Sequence, residues 1–525
     1  MGGKKILKVI MSAALVSTIA LTGLLTGCVA KHEVSPAAYS KNEFRGKNPK
    51  YVFLFIGDGM SATQTNTAEI YLGAQKQGAK PQVDRLSFTQ FPTQGLKTTY
   101  AADSFIPDSA SAGTAMATGN KTIDGVINMD PGKTVKYKSI AEMAKENGMK
   151  VGIVSSVSID HATPAVFYAH QPSRSNYYDI AIELGKSNFD YFGGGGLLQP
   201  KGKNNDKSDA YDEAAKNGYK VVKSVSEFNS LNKDSGKVFA VSPILDSSAA
   251  LPYAINNTKD GLTLKDFTRK GIELLDNKDG FFMMVEGGKI DWACHANDAA
   301  TSIHDVLAFD DSVKEAIKFY EKYPNDTLIM VTGDHETGGL TIGFAGTKYE
   351  TFFDKLKNQN ISYDEFEKSV VKEYAKDHTP ENANINDLLP AIKEKFGLMT
   401  TTDAEKKALE EKAKAGDKEA GKKLGLIFTE YELNNLKEAL KVSMMKTKPT
   451  DEKTYLLYGG YDPLTITLTH LINQKSGIGW TTYSHTGVPI PVYVMGSGEE
   501  LFAGYYDDTD TFTKLITVMG LRYNK

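Results

Sequence analysis

Short apolar, β-branched runs recur along the chain, most of them closing on glycine and an acidic residue or histidine: YVFLFIGDGM, VGIVSSVSIDHATP, FFMMVEGGKID, TLIMVTGDHETGG and PVYVMGSG. A run with no polar face has nothing to offer water, so a strand built from it must be covered on both sides. Between these runs lie segments of helical periodicity, such as KSIAEMAKENG and LKDFTRKGIELLDNKDG, each stopping at a Gly- or Asn-rich turn. Strands alternating with helices predict an α/β fold, a three-layer sandwich whose central, mostly parallel sheet carries helices on both faces. With 525 residues and 41% hydrophobic content, the chain can build one large α/β domain with insertions, or several domains.

The N-terminus reads differently. Lys4, Lys5 and Lys8 precede an uncharged run from Val9 to Gly27 that closes on Leu25-Thr26-Gly27-Cys28. Residues 1–27 therefore read as a lipoprotein signal peptide, with Cys28 as the lipid attachment site and the membrane as partner through that anchor. An uncleaved transmembrane helix is the alternative, since the run is just long enough to span a bilayer. The protein is expected to be exported and to work outside the cytoplasm, at the cell surface or in the periplasm. Residues 28–48 read as a tether, 49–351 and 447–525 as the α/β domain, and 352–446 as a helical, Lys/Glu-rich insertion whose surface is solvated. Removing residues 1–27 takes away three Lys and no acid, moving the formal net charge from -4 to -7. No basic patch suggests nucleic acid. Only Cys28 and Cys294 exist, so no internal disulfide is expected. The tetraglycine Gly193–Gly196 lacks the Lys and spacing of a phosphate-binding loop and reads as a tight turn after a strand.

Metal-ligand side chains cluster where an open α/β sheet binds ligands, beyond the carboxyl ends of strands. Asp58 follows the first strand, Glu286 ends FFMMVE, and Asp334 and His335 follow TLIMVTG. Asp291 and His295 are four apart, on one face of a helical turn, and His485 in SHTG could complete a three-ligand zinc site with an open position. Asp108-Ser109-Ala110-Ser111-Ala112-Gly113 is built of small residues that let a helix pack close beneath a site. A serine at such a helix start meets backbone N–H groups and the positive end of the dipole; it also commonly serves only as an N-cap. No GxSxG elbow or Ser-His-Asp order is visible, so activation of Ser109 as a nucleophile falls to metal.

Together, FIGDGM, PDSASAGTAMATG, HATPAVFYAHQPSR, VEGGKIDWACH, TGDHETGG and SHTG resemble the motifs of the alkaline phosphatase family, in the same order along the chain. The resemblance covers about residues 50–350 and 455–520. It implies hydrolysis of phosphate monoesters at a site of two Zn2+ and one Mg2+: Asp291, His295 and His485 on one zinc; Asp58, Asp334 and His335 on the other beside Ser109; Asp58, Thr163 and Glu286 on magnesium. It also implies that Ser109 forms a phosphoserine and that Arg174, with a fork suited to two phosphate oxygens, grips the substrate. Relatives are often dimers, so a homodimer is open. His161 and Trp292 depart from the best-known enterobacterial pattern, which has Asp and Lys there; both lie near magnesium and phosphate, His161 as a substrate-binding residue, and they leave metal preference and pH optimum open. Cys294 reads as a small buried thiol, with metal contact through its zinc-suited sulfur as the alternative, and His170 as structural support. A phosphodiesterase sharing the two-metal core is the nearest competitor; a non-catalytic surface lipoprotein is the competitor from another class.

Overall fold

The computed structural model describes residues 46–77, 81–256, 258–445 and 450–522. The signal peptide, Cys28 and the tether up to residue 45 lie outside the described residues. Among the described residues no helix is long and apolar enough to cross a membrane.

Ten strands form one sheet: β1 (Tyr51–Gly57), β2 (Thr93–Thr98), β3 (Lys150–Ser155), β4 (Tyr191–Gly194), β5 (Tyr219–Val222), β6 (Lys237–Val241), β7 (Phe281–Glu286), β8 (Thr327–Gly333), β9 (Ile490–Gly496) and β10 (Gly504–Asp507). Their order is β10-β2-β9-β8-β1-β7-β3-β4-β6-β5. Only β9 runs antiparallel to its neighbours β2 and β8. The predicted mostly parallel sheet between helical layers is therefore present.

The apolar runs form strands because each supplies two faces. On β1, Phe53 and Phe55 join one buried cluster and Val52, Leu54 and Ile56 the other. β7 and β8 divide the same way: Met283, Val285, Ile329 and Val331 on the first face, Phe282, Met284, Leu328 and Met330 on the second. This period of two is the geometry of a pleated strand. Fully burying each such side chain contributes roughly 1.5–3 kcal/mol, so the centre of the sheet is the rigid floor on which the site stands.

Gly193 and Gly194 belong to β4 itself and are not a turn after it. Gly194 has φ +124° and a side chain there would lie 1.9 Å from the Ser155 carbonyl oxygen, so close strand packing selects glycine. Within 352–446 the chain is helical, with helices at Ile385–Phe396, Asp403–Lys414, Lys418–Leu424 and Glu430–Ser443. Asp403–Lys414 buries nothing, as a solvated helix should. The rest differs from the expectation: Phe366, Ile392, Phe396 and Leu436 are buried in the same apolar cluster as β1 and β7.

Candidate active site

β8, β1, β7 and β3 are consecutive in the sheet, in parallel register, with Gly57 opposite Gly333 and Ile56 opposite Glu286. Their carboxyl ends therefore deliver Asp334, Asp58, Glu286 and Ser155 to one place. All four are fully buried.

Three groups of ligand-capable atoms lie there, each within 4.8 Å internally: Asp291 with His335 and His485; Asp58 with Asp334 and His335; Asp58 with His161 and Glu286. The first is joined by His295, on the Lys289–His295 helix. His295 Nε2 is 3.3 Å from Asp291 Oδ2 and 3.1 Å from His485 Nε2. Each imidazole donates from Nδ1 to a backbone carbonyl, His295 to Tyr483 at 2.6 Å and His485 to Pro107 at 2.7 Å. Both Nε2 lone pairs are thereby turned toward Asp291, the arrangement that outer partners impose on metal-binding histidines.

In the second group, His335 Nε2 is 3.4 Å from Asp58 Oδ1, 3.4 Å from Asp334 Oδ2 and 3.2 Å from Ser109 Oγ. Asp334 Oδ1 is held by the N–H groups of Gly59 and His335, which leaves Oδ2 facing inward. In the third, Thr163 donates to Asp58 Oδ2 at 3.3 Å, and Ser155 donates to Glu286 Oε2. The structure thus brings together every metal-site residue expected from the sequence, and adds His161 to the third group.

Charge explains what the pocket requires. Burial, reinforced by Asp334 and Asp291, pushes the Asp58 carboxyl far above its ordinary range; burial pushes Glu286 to about 8, and burial with Asp291 pushes Asp334 to about 7. Asp58 Oδ1, Asp334 Oδ2, Glu286 Oε1 and His161 Nδ1 are buried and find no hydrogen-bond partner among the described residues. Unpaired buried charge of this kind costs several kcal/mol, and cations offset it. The donor sets fit the expected metals: carboxylate with imidazole suits zinc, and the oxygen-rich third group suits magnesium, with His161 adding a softer nitrogen.

Ser109 opens the helix Ser109–Thr118, whose N-cap is Asp108, so the serine hydroxyl is not spent on capping. Asp108 Oδ1 accepts from Ser111 N at 2.9 Å, while Oδ2 accepts from Gly125 N and from Arg174 Nη1 at 2.8 Å. Arg174 Nη2 lies 3.3 Å from His161 Nε2. Trp292 stands edge-to-face on His161 with 5.8 Å between rings, and Lys289 Nζ lies over Trp292 while paired with Asp246 Oδ2 at 2.5 Å. His161 and Trp292 therefore form one wall beside the Arg174 guanidinium. Cys294 is buried against Ser302 and Gln64 and belongs to none of the three groups. His170 bridges Tyr137 O and Glu142, as a supporting residue does.

Sequence reasoning missed several supports. Asp108 does carry a signal in sequence, its place three residues before Ser111, which is the capping-box spacing. Thr337, which donates to Asp291 Oδ1 at 2.5 Å, and Ser155 carry no local signal, because their partners come from a helix and a strand distant in sequence.

The alkaline phosphatase family profile matches residues 49–521. Alkaline phosphatase 3 of Bacillus subtilis (strain 168) is 32% identical, over 99% of this chain and 98% of its own length; alkaline phosphatase 4 of the same organism is 30% identical, over 94% and 93%. Among solved structures, the cold-active alkaline phosphatase of the psychrophile Shewanella sp. is 27% identical, with a TM-score of 0.69 over 89% of this chain and 99% of that one.

Proposed function

The chain belongs to the alkaline phosphatase family and is a phosphomonoester hydrolase, and from that premise we propose that it works through a phosphoserine on Ser109 in a site of two zinc ions and one magnesium ion. The observation that carries the proposal is the position of Ser109 Oγ, free of capping duty, at the start of a small-residue helix and 3.2 Å from His335 Nε2.

Asp291, His295 and His485 would hold one zinc, Asp58, Asp334 and His335 the other, and Asp58, Thr163 and Glu286 magnesium. When bound, these ions neutralise the attacking and leaving oxygens and lower the pKa of a coordinated water. The chain's own residues do the rest. Ser109 Oγ attacks phosphorus in line, the ester P–O bond breaks, and the alcohol leaves with phosphate now on Ser109. Water then attacks the phosphoserine, the Ser109 P–O bond breaks, and inorganic phosphate leaves. Through both steps Arg174 grips two phosphate oxygens, its guanidinium held by Asp108 and by the His161 wall. The N–H groups at the helix start add to this anion binding.

Single-turnover labelling with 32P-phosphomonoester tests the intermediate: a labelled protein is expected from the parent and none from Ser109→Ala. Label retained by the variant overturns Ser109 as nucleophile. Comparing p-nitrophenyl phosphate with its bis ester at pH 7–10, before and after chelation, tests the substrate class and metals. Monoester preference, lost on chelation and regained only with zinc, is expected; diester preference points to a phosphodiesterase.

The same proposal puts the enzyme outside the cytoplasm, anchored by lipid on Cys28, with a homodimer as its assembly. The run ending in Leu25-Thr26-Gly27-Cys28 supports the anchor. Metabolic labelling with palmitate, abolished in Cys28→Ala, is the expected result, and a single species of twice the monomer mass in sedimentation is expected for the dimer.

A further inference from the structure

Glu336 directly follows His335 and is fully buried, with neutral donors from three segments around its carboxylate. Oε1 accepts from Gln64 Nε2 at 2.7 Å and from Leu340 N at 3.1 Å; Oε2 accepts from Gly339 N at 3.1 Å and from the Thr486 hydroxyl. Four donors fill the lone-pair sites of a carboxylate, so Glu336 keeps none for a metal, and it belongs to none of the three ligand groups. Its partners adjoin those groups. Gln64 lies on the Ala62–Gln77 helix that follows Asp58, and its Nε2 also donates to Thr337 O at 3.1 Å. Thr337 in turn donates to Asp291. Thr486 directly follows His485.

The two histidines that Glu336 joins are anchored unequally. His335 stands two residues beyond β8, a strand paired on both sides, with β1 and with β9. His485 stands on a strand of two residues, His485–Thr486, paired with Glu336–Thr337 so that His485 lies opposite Thr337 and Thr486 opposite Glu336. So short a pairing is marginal by itself, whereas a hydrogen bond to a carboxylate is roughly twice as strong as one between neutral groups. The Pro107 carbonyl orients the His485 ring; the bond from Thr486 to Glu336 is the charged tie between the two strands. They are held where the His335 and His485 rings lie 3.6 Å apart.

We infer that Glu336 is a positioning residue: by clamping the His485 strand it completes the zinc site of Asp291, His295 and His485 and sets its separation from the zinc site that includes His335. This rests on the two-zinc site proposed above. Zinc affinity, measured by competition with a chromophoric chelator, reads the clamp without turnover. Thr486→Val keeps the shape of the side chain and removes the donor. It is expected to weaken one of the two zinc ions about tenfold, a typical cost of losing an outer partner, and to leave the other unchanged. Thr486→Ser keeps the hydroxyl and should bind both ions as the parent does. Glu336→Gln, which turns one acceptor into a donor facing other donors, should weaken the same zinc at least as much. In a His485→Ala background, where that zinc is already loose, adding Thr486→Val should leave the remaining zinc unaffected. Unchanged affinities in Thr486→Val, equal loss at both sites, or equal loss in Thr486→Val and Thr486→Ser overturns the clamp. A parent that binds fewer than two zinc ions overturns instead the two-zinc reading on which it rests.

Discussion

Arg174 Nη1 donates to Asp108 Oδ2 across 2.8 Å, so the residue immediately before the proposed nucleophile also anchors the guanidinium that would grip phosphate. The same carboxylate caps the Ser109–Thr118 helix. One side chain thereby fixes the two groups that must meet the phosphorus together.

Asp108→Ala should separate these roles by measurement. Loss of the cap is expected to cost about 1 kcal/mol in denaturant unfolding, and release of Arg174 to raise the inhibition constant for inorganic phosphate roughly tenfold. Asp108→Asn retains an N-cap side chain, so it should recover most of the stability and little of the phosphate affinity. Equal recovery of both would count against the anchoring role.

Asp58 faces Asp334, Glu286 and Asp291 in a fully buried pocket, where burial and like charge disfavour its ionised form. With metals stripped by chelator, Asp58→Asn is expected to be more stable than the parent by roughly 1–3 kcal/mol. With zinc and magnesium restored the order should reverse, because ligands that bind only the folded state stabilise it by mass action. Thermal unfolding with and without chelator checks both halves, and a variant less stable in both conditions would argue for a plain structural role.

Gly59 has φ +71°, and a side chain there would lie 2.8 Å from Thr337 Oγ1 and 2.9 Å from Asp291 Cα. Gly148 has φ +83° with nothing within 4 Å. Alanine at Gly148 should cost only the backbone term, roughly 1–2 kcal/mol for a Cβ in the left-handed region. Alanine at Gly59 should cost more and also displace Asp291, lowering zinc affinity at least about tenfold, a typical cost of disturbing a ligand's supports. Competition with a chromophoric chelator measures this; equal zinc affinity in the two variants would contradict it.

Lys97 and Asp508 are both fully buried, Nζ to Oδ1 2.6 Å, and join β2 to the Asp508–Met519 helix. Burial, only partly offset by Lys97 and Lys121, pushes the Asp508 carboxyl from 3.8 up to about 6. The folded state then holds this proton more tightly than the unfolded chain. Its contribution to stability is full below about pH 4 and is lost as pH rises through about 6. Asp508→Asn removes that slope. The unfolding free energy of the parent minus that of the variant, both free of metal, should fall by on the order of 2 kcal/mol between pH 4 and 7. A difference that grows with pH would refute the assignment.

The sheet was legible because apolar strands and periodic helices announce themselves within a few residues. The side chains at strand ends were legible for a related reason, since an acid or histidine following a buried run has no apolar partner and must serve something. Asp58, Glu286, Asp334 and His335 were found that way, and Asp291 with His295 by their spacing of four. By itself the sequence therefore determined the fold class, the residues that could bind metal, and through six ordered motifs the family.

The tertiary structure decided what depends on distant segments meeting. Pro107 and Tyr483 set the tautomers of His485 and His295 from loops that are far from them in sequence or carry no signal of contact. His161 approaches Asp58 and Glu286 only because β3 lies beside β7. Helices of the 352–446 segment, read as solvated from their Lys and Glu, bury Phe366, Ile392 and Leu436 in the core. Local patterning records which side chains prefer to leave water, but a partner hundreds of residues away leaves no trace until the chain has closed the loop between them.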